Sequence, residues 1–256
     1  MYHQKFGWIP QKPDPRDIKY SVELLKPIET VLLSDKFVLP TPYNQGNLGS
    51  CTANALAFLV HFNLLNKHTQ VEQAAFNPSR LFIYYYERVM EHTVNSDAGA
   101  VIRDGIKVIA NNGVPSEDLW PYDVSQFTHT PSQAAIDAAK QFKALQYKAI
   151  DNRNKALMVN ALMEGFPISC GISVFESFMS EEVAKTGIVP MPDVHNENMV
   201  GGHAIAVVGY IKEEDMFLMR NSWGTSWGLN GYFKIPAAYL CSPEYASDFW
   251  VISLIN

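Results

Sequence analysis

Residues 52 to about 65 are apolar on nearly every side, with Ala53, Leu56, Ala57, Phe58, Val60 and Leu64 spread around the whole helical circumference. A helix of that kind has no face to give to water, so other elements must surround it. The chain has the material to do this: 256 residues, 47% hydrophobic and 12% aromatic, enough for one sizeable core or two apposed lobes.

At the head of this helix a Gly-broken loop, "NQGNLGS", delivers Cys51. The first turn of a helix carries unpaired N–H groups and a partial positive charge, which favour a thiolate over a thiol. Cys170, inside the apolar run "PISCGISV", reads instead as a small buried hydrophobe, and Cys241 as an incidental loop thiol. Three cysteines this far apart make neither a zinc ribbon nor a disulfide framework.

A nucleophilic cysteine needs an imidazole within hydrogen-bond reach. His3, His61, His68, His92, His129 and His195 lie in polar, irregular or helix-surface contexts and read as solvated or structural. His203 differs: it follows Gly201 and Gly202 at the mouth of an alternating apolar strand, "HAIAVVGY". Asn221 ends the next strand candidate, where its amide oxygen can accept the second imidazole N–H while Trp223 keeps water from that bond.

Around these residues the first half reads as helical and the second as β. Helices are expected at "NPSRLFIYYYERVME", with Asn77 as cap and Pro78 first in the helix, at "IRDGIKVIANNG", and at "NKALMVNALMEG". Strands are expected at "PISCGISV", "HAIAVVGYI", "MFLMRNSW" and "GYFKIP". The boundaries implied are an extended, Pro-rich arm over 1–40, a mainly helical part over about 41–150 and a mainly β part over about 151–256.

Three separated blocks then resemble the papain-like (C1) cysteine peptidases: Gln45-Gly46-x-x-Gly49-Ser50-Cys51, His203-Ala204 before its strand, and Asn221-Ser222-Trp223-Gly224-x-x-Trp227-Gly228-x-Asn230-Gly231-Tyr232. His203 and Asn221 follow Cys51 by 152 and 170 residues, a little beyond the family's usual interval of about 130 to 150. The resemblance implies an α+β, two-lobe fold with a cleft between a helical lobe and an antiparallel, barrel-like β lobe. It implies an endopeptidase in which Cys51 attacks the peptide carbonyl, His203 handles the proton, Asn221 orients His203, and Gln45 with the Cys51 N–H holds the oxyanion. It further places Gly99 beside an extended substrate, and Gly171, Gly202, Ala204, Trp223 and Ser247 or Asp248 around the substrate pockets. No metal or organic cofactor is required by this chemistry.

Departures from the pattern carry information. Leu48 stands where the family usually has a disulfide cysteine, Thr52 where it has tryptophan, and Gly202 where it often has aspartate. These imply a less oxidising home or a bacterial or viral-type branch, and an altered wall beside the nucleophile. The other function classes are a related Cys-His-Asn acyl enzyme, deamidase or transglutaminase-like, and a silenced peptide-binding module; the latter would have replaced one of the three residues.

The partner expected is a protein or peptide substrate. The net charge of −6 is dispersed and no Lys/Arg-rich block appears, which argues against nucleic acid. No leader-like N-terminus and no run of about 18 apolar residues is present, so the residues read as soluble, with no membrane partner and the compartment open. For the arm two readings stand: packing on the surface, or lying in the cleft and limiting access.

Overall fold

The computed structural model describes residues 5–67, 76–142 and 144–254; the expectations for His3 and His68 lie outside them. Helix α1 (Cys51–Lys67) is the apolar helix, and Leu56, Ala57, Leu59, Val60 and Phe62 on all its sides are fully buried. It is surrounded as its composition demands, by α2 (Arg80–Met90), α3 (Ile102–Asn111) and the sheet strands described below.

Helix α2 begins at Arg80 rather than at Pro78. Ser79 is its cap: its hydroxyl accepts from Phe82 N at 3.2 Å and donates to the Trp120 carbonyl at 2.6 Å, while Pro78 pairs with Ser116. A long-range partner for Ser79 thus moved the start past the local Asn-Pro signal. Four shorter helices follow: α4 (Gln133–Ala139), α5 (Lys155–Met163), α6 (Glu181–Thr186) and α7 (Ala237–Leu240).

The strands are β1 (Val31–Leu32), β2 (Ala144–Ile150), β3 (Ile168–Phe175), β4 (Met199–Ile211), β5 (Met216–Arg220), β6 (Tyr232–Pro236) and β7 (Ala246–Leu254). They form one antiparallel sheet in the order β2-β7-β3-β4-β5-β6, with β1 attached to β4. Two elements lie at the boundaries drawn from sequence. The strand β2, at the end of the mainly helical part, pairs with β7. Val31 and Leu32 belong to the sheet, and Leu33 is buried, so the extended arm ends near residue 30 rather than 40.

Sheet register matters most at β3. Gly171 pairs with Ala204 of β4 on one side and Ser247 of β7 on the other, and Ile172 pairs with His203. A single row across three strands therefore joins residues that are far apart in sequence. No helix among the described residues is long and apolar enough to cross a membrane.

Candidate active site

Cys51 is the first residue of α1 and is fully buried. His203 is buried on β4, and its Nε2 lies 2.8 Å from Asn221 Oδ1, just past the end of β5. Since Oδ1 can only accept, Nε2 carries the proton and donates. Trp223 stacks on the imidazole at a 4.8 Å centroid separation and 24° between planes, covering this bond from solvent. His203 Nδ1 is buried and has no hydrogen-bond partner among the described residues.

The Gln45 loop is held against the Asn221 loop by backbone bonds: Gln45 N to Ser222 O at 2.8 Å and Gly224 N to Tyr43 O at 2.9 Å. Ser222 Oγ donates to Gln45 Oε1 at 2.6 Å, which leaves Gln45 Nε2 to donate to Leu48 O at 2.9 Å and to Lys5 O at 3.0 Å. Gln45 thus presents its N–H face to a peptide carbonyl of the arm.

The arm fills the cleft. Phe6 meets His203 and Trp223 edge-on at centroid distances of 6.3 and 6.4 Å. Gly7 O accepts from Ala100 N at 2.7 Å, Trp8 N donates to Gly202 O at 3.0 Å, and Ile9 N donates to Ala100 O at 3.0 Å. The Trp8 indole lies over Gly171, where any Cβ would overlap it. Gly99 is in the left-handed region at φ 77° and is packed so closely on Gly7 that a side chain would collide with its carbonyl. Of the expected pocket residues, Gly99, Gly171, Gly202 and Trp223 therefore line the arm; Ala204 and Ser247 flank Gly171 in the sheet. The pairing residue on the near wall is Ala100, one position beyond Gly99.

Burial sets the electrostatics of this covered state. It pushes the Cys51 thiol up to about 12, opposed by backbone hydrogen bonds with Ala204, with Gly7 of the arm, and with Thr52. It lowers His203 to about 4, although the Asn221 bond works the other way. Burial thus works against a thiolate–imidazolium pair in the arm-covered chain, raising the thiol and lowering the imidazole.

Sequence reasoning missed several supports. Asp97 accepts from Gly49 N at 2.9 Å, from Tyr84 OH at 2.6 Å and from Lys5 Nζ at 3.2 Å, tying the loop before Cys51 to α2 and to the arm. Thr52 donates to the fully buried Glu87 at 2.9 Å. Asp97 is an acidic residue in a polar loop, and nothing in its neighbours' pattern distinguishes it. Glu87 is a charged residue amid the apolar face of a strongly patterned helix, which was a usable signal.

Comparisons with known proteins identify the family and the fold. The family model described as papain family cysteine protease matches residues 35–246. An uncharacterised peptidase C1-like protein of Acanthamoeba polyphaga mimivirus is 41% identical over 278 residues, covering 99% of this chain and 88% of that protein. Mouse cathepsin K is 30% identical over 191 residues, 74% of this chain and 54% of cathepsin K. Among solved structures, xylellain, a cysteine protease from Xylella fastidiosa, superposes with a TM-score of 0.88 at 36% identity, covering 100% of this chain and 99% of that one. The chain belongs to the papain family of cysteine proteases and has the papain-like α+β fold.

Proposed function

We propose that this cysteine peptidase is an endopeptidase working through Cys51, His203 and Asn221, and that its own N-terminal arm keeps it latent. The observation that carries the reading is the Lys5 carbonyl against Gln45 Nε2, beside an imidazole whose tautomer is fixed by Asn221. A substrate carbonyl at that position would meet the amide donor needed once its oxygen becomes negative.

With the arm displaced, water and substrate reach Cys51 and the burial that opposes an ion pair is relieved. Cys51 passes its thiol proton to His203 Nδ1, its sulfur attacks the carbonyl carbon, and the tetrahedral oxyanion is held by Gln45 Nε2 and the Cys51 N–H. His203 gives its proton to the departing amine, leaving a thioester on Cys51. His203 then takes a proton from water, whose hydroxide attacks the thioester and releases the acid. Asn221 keeps the imidazole facing sulfur throughout, and Trp223 shields the bond that does so.

Chain direction explains why the arm is not a substrate. In a substrate the residue filling the second pocket precedes the carbonyl under attack. In the arm, Trp8 fills the pocket at Gly171 and follows Lys5, whose carbonyl faces Gln45. The parallel pairing of Trp8 with Ala100 has the same origin. The arm therefore runs backwards through the cleft and offers no bond in the order the chemistry requires.

Intact mass after brief exposure to an epoxysuccinyl peptide at about pH 5.5, where ordinary thiols are protonated, tests the reading. Slow labelling of the full chain, faster labelling of Trp8→Ala and none of Cys51→Ala is the expected pattern. Equal labelling of full chain and Trp8→Ala would exclude a covering arm. Absence of labelling in both would exclude an activated Cys51.

A further inference from the structure

Gln45 stands between two peptide units, and all four of their polar groups are tied down. In the unit before it, Asn44 O accepts from Arg80 Nη1 at 3.1 Å, and Gln45 N donates to Ser222 O at 2.8 Å. In the unit after it, Gln45 O accepts from Tyr122 OH at 2.9 Å, and Gly46 N donates to Asn44 Oδ1 at 2.9 Å. The backbone that carries the Gln45 amide is thus fixed from both sides, apart from the bonds its side chain makes.

The Cys51 N–H belongs to the peptide unit of Ser50, which has a support of its own. Ser50 O accepts from Asn54 N at 3.0 Å and from Asn54 Nδ2 at 2.9 Å, and Asn54 Nδ2 also reaches Ser50 Oγ at 3.1 Å. A carbonyl that accepts polarises its peptide unit and strengthens the N–H at the other end as a donor. The oxygen of the same Asn54 amide accepts from Arg80 Nη1 at 3.1 Å. One guanidinium nitrogen therefore touches the frames of both oxyanion donors: that of Gln45 Nε2 through Asn44, and that of the Cys51 N–H through Asn54.

Arg80 is held for this task on its remaining sides. It is the first residue of α2 and is 8% exposed. Its Nε donates to Glu117 Oε1 at 2.6 Å and its Nη2 to Glu117 Oε2 at 3.3 Å, and the guanidinium lies over the rings of Tyr122 and Tyr43, 3.9 and 4.7 Å from their centroids. A carboxylate fork and two aromatic faces restrict a planar cation to one orientation, and a lysine would keep the charge while losing that geometry.

We propose that Arg80 is a positioning residue of the oxyanion site, setting the separation between Gln45 Nε2 and the Cys51 N–H without touching substrate. This role presupposes the Cys51 mechanism proposed above. Correctly spaced donors matter once the carbonyl oxygen becomes negative, so the contribution of Arg80 falls on kcat and leaves substrate binding and the nucleophilicity of Cys51 alone.

The test takes the Trp8→Ala chain as parent, a Phe-Arg aminomethylcoumarin amide as substrate, and iodoacetamide as the control reagent. In alkylation the Cys51 sulfur bonds to the methylene carbon as iodide leaves, and no oxyanion forms. Arg80→Lys is expected to lower kcat about tenfold, with KM and the iodoacetamide rate each within about twofold of the parent. Arg80→Gln combined with Glu117→Gln removes both charges together, avoids an unpaired buried carboxylate and should show the same signature if the lysine variant does not fold. In a Gln45→Ala background only one donor remains and there is no separation to set, so Arg80→Lys should lower kcat by less than about threefold. A kcat equal to the parent's, a loss shared by iodoacetamide labelling, or an undiminished loss in Gln45→Ala overturns the proposal and leaves the peptidase mechanism standing. A parent that reacts with iodoacetamide but cleaves nothing would instead refute that mechanism, and this role with it.

Discussion

Ser222 Oγ and Gln45 Oε1 are 2.6 Å apart, and this bond decides which end of the Gln45 amide faces the cleft. An amide free to turn would present oxygen to the oxyanion half of the time. Removing the donor altogether, Gln45→Ala, is expected to lower kcat by about 10² to 10³ with a smaller change in KM. Ser222→Ala should have the same signature at about tenfold or less, since the amide remains and keeps its bond to Leu48 O but loses the donor that holds Oε1. Steady-state kinetics on an arm-loosened chain such as Trp8→Ala checks both. An effect of Ser222→Ala confined to KM would rule out an orienting role.

The pH dependence of Cys51 reactivity should change with the arm. Burial raises the thiol to about 12 in the covered chain, so the thiolate fraction, and with it the iodoacetamide rate, should climb with pH and show no plateau below about pH 10. In Trp8→Ala, where water regains the site, the climb should begin at lower pH. Superimposable profiles would show that the arm does not set the ionisation of Cys51.

Glu87 gives a stability signature. Burial holds its carboxyl well above the usual carboxylate range, partly offset by the Thr52 hydrogen bond, and its Oε1 has no partner among the described residues. An acid with a raised folded pKa leaves stability untouched below the unfolded value and removes it as pH rises from about 4.5 toward the folded pKa, because only the unfolded chain ionises. Glu87→Gln abolishes that term. Its stability relative to the native chain, measured by urea unfolding from pH 4 to 7.5, should therefore improve as pH rises. Parallel curves would mean that Glu87 is ionised in the fold.

Asp97 collects Gly49 N, Tyr84 OH and Lys5 Nζ at one carboxylate. Truncation to alanine leaves the Gly49 N–H and the Tyr84 O–H without an acceptor, though the phenol oxygen still accepts from Gly99 N, and should destabilise the chain by about 2 kcal/mol in urea unfolding. It should also raise Cys51 labelling, because Lys5 loses its tether. Asp97→Asn keeps one acceptor and should recover much of the stability but not the ion pair.

The residues proposed to make and break bonds could be singled out because that chemistry restricts residue type: Cys51 at a helix start, His203 after two glycines, Asn221 before Trp223. The supports were not, because a hydrogen bond to a loop N–H can come from almost any polar residue, and Asp97 and Ser222 look ordinary in their neighbourhoods. Among elements, the apolar α1 and β3 were plain. The strand β2, "ALQYKAI", interleaves Gln and Lys with its apolar residues, and β7 breaks its alternation at the Asp248 bulge, so both were passed over. Trp8 was invisible for a different reason: what it does depends on Gly171, about 160 residues away, and on no local pattern.

The attachment of β1 to β4 has a consequence for molecularity. Val31 and Leu32 anchor the arm permanently to the strand that carries His203, and residues 21–29, with Leu24 largely exposed, connect that anchor to the cleft-filling part. The local concentration of the arm at the cleft is therefore set by this short connection, itself held to Asn160 at Lys26, and is indifferent to dilution. Modest intrinsic affinity then suffices to fill the cleft. A single cut within 21–29 would turn the same contacts into a bimolecular encounter, whose occupancy then depends on concentration although no contact in the cleft has been altered.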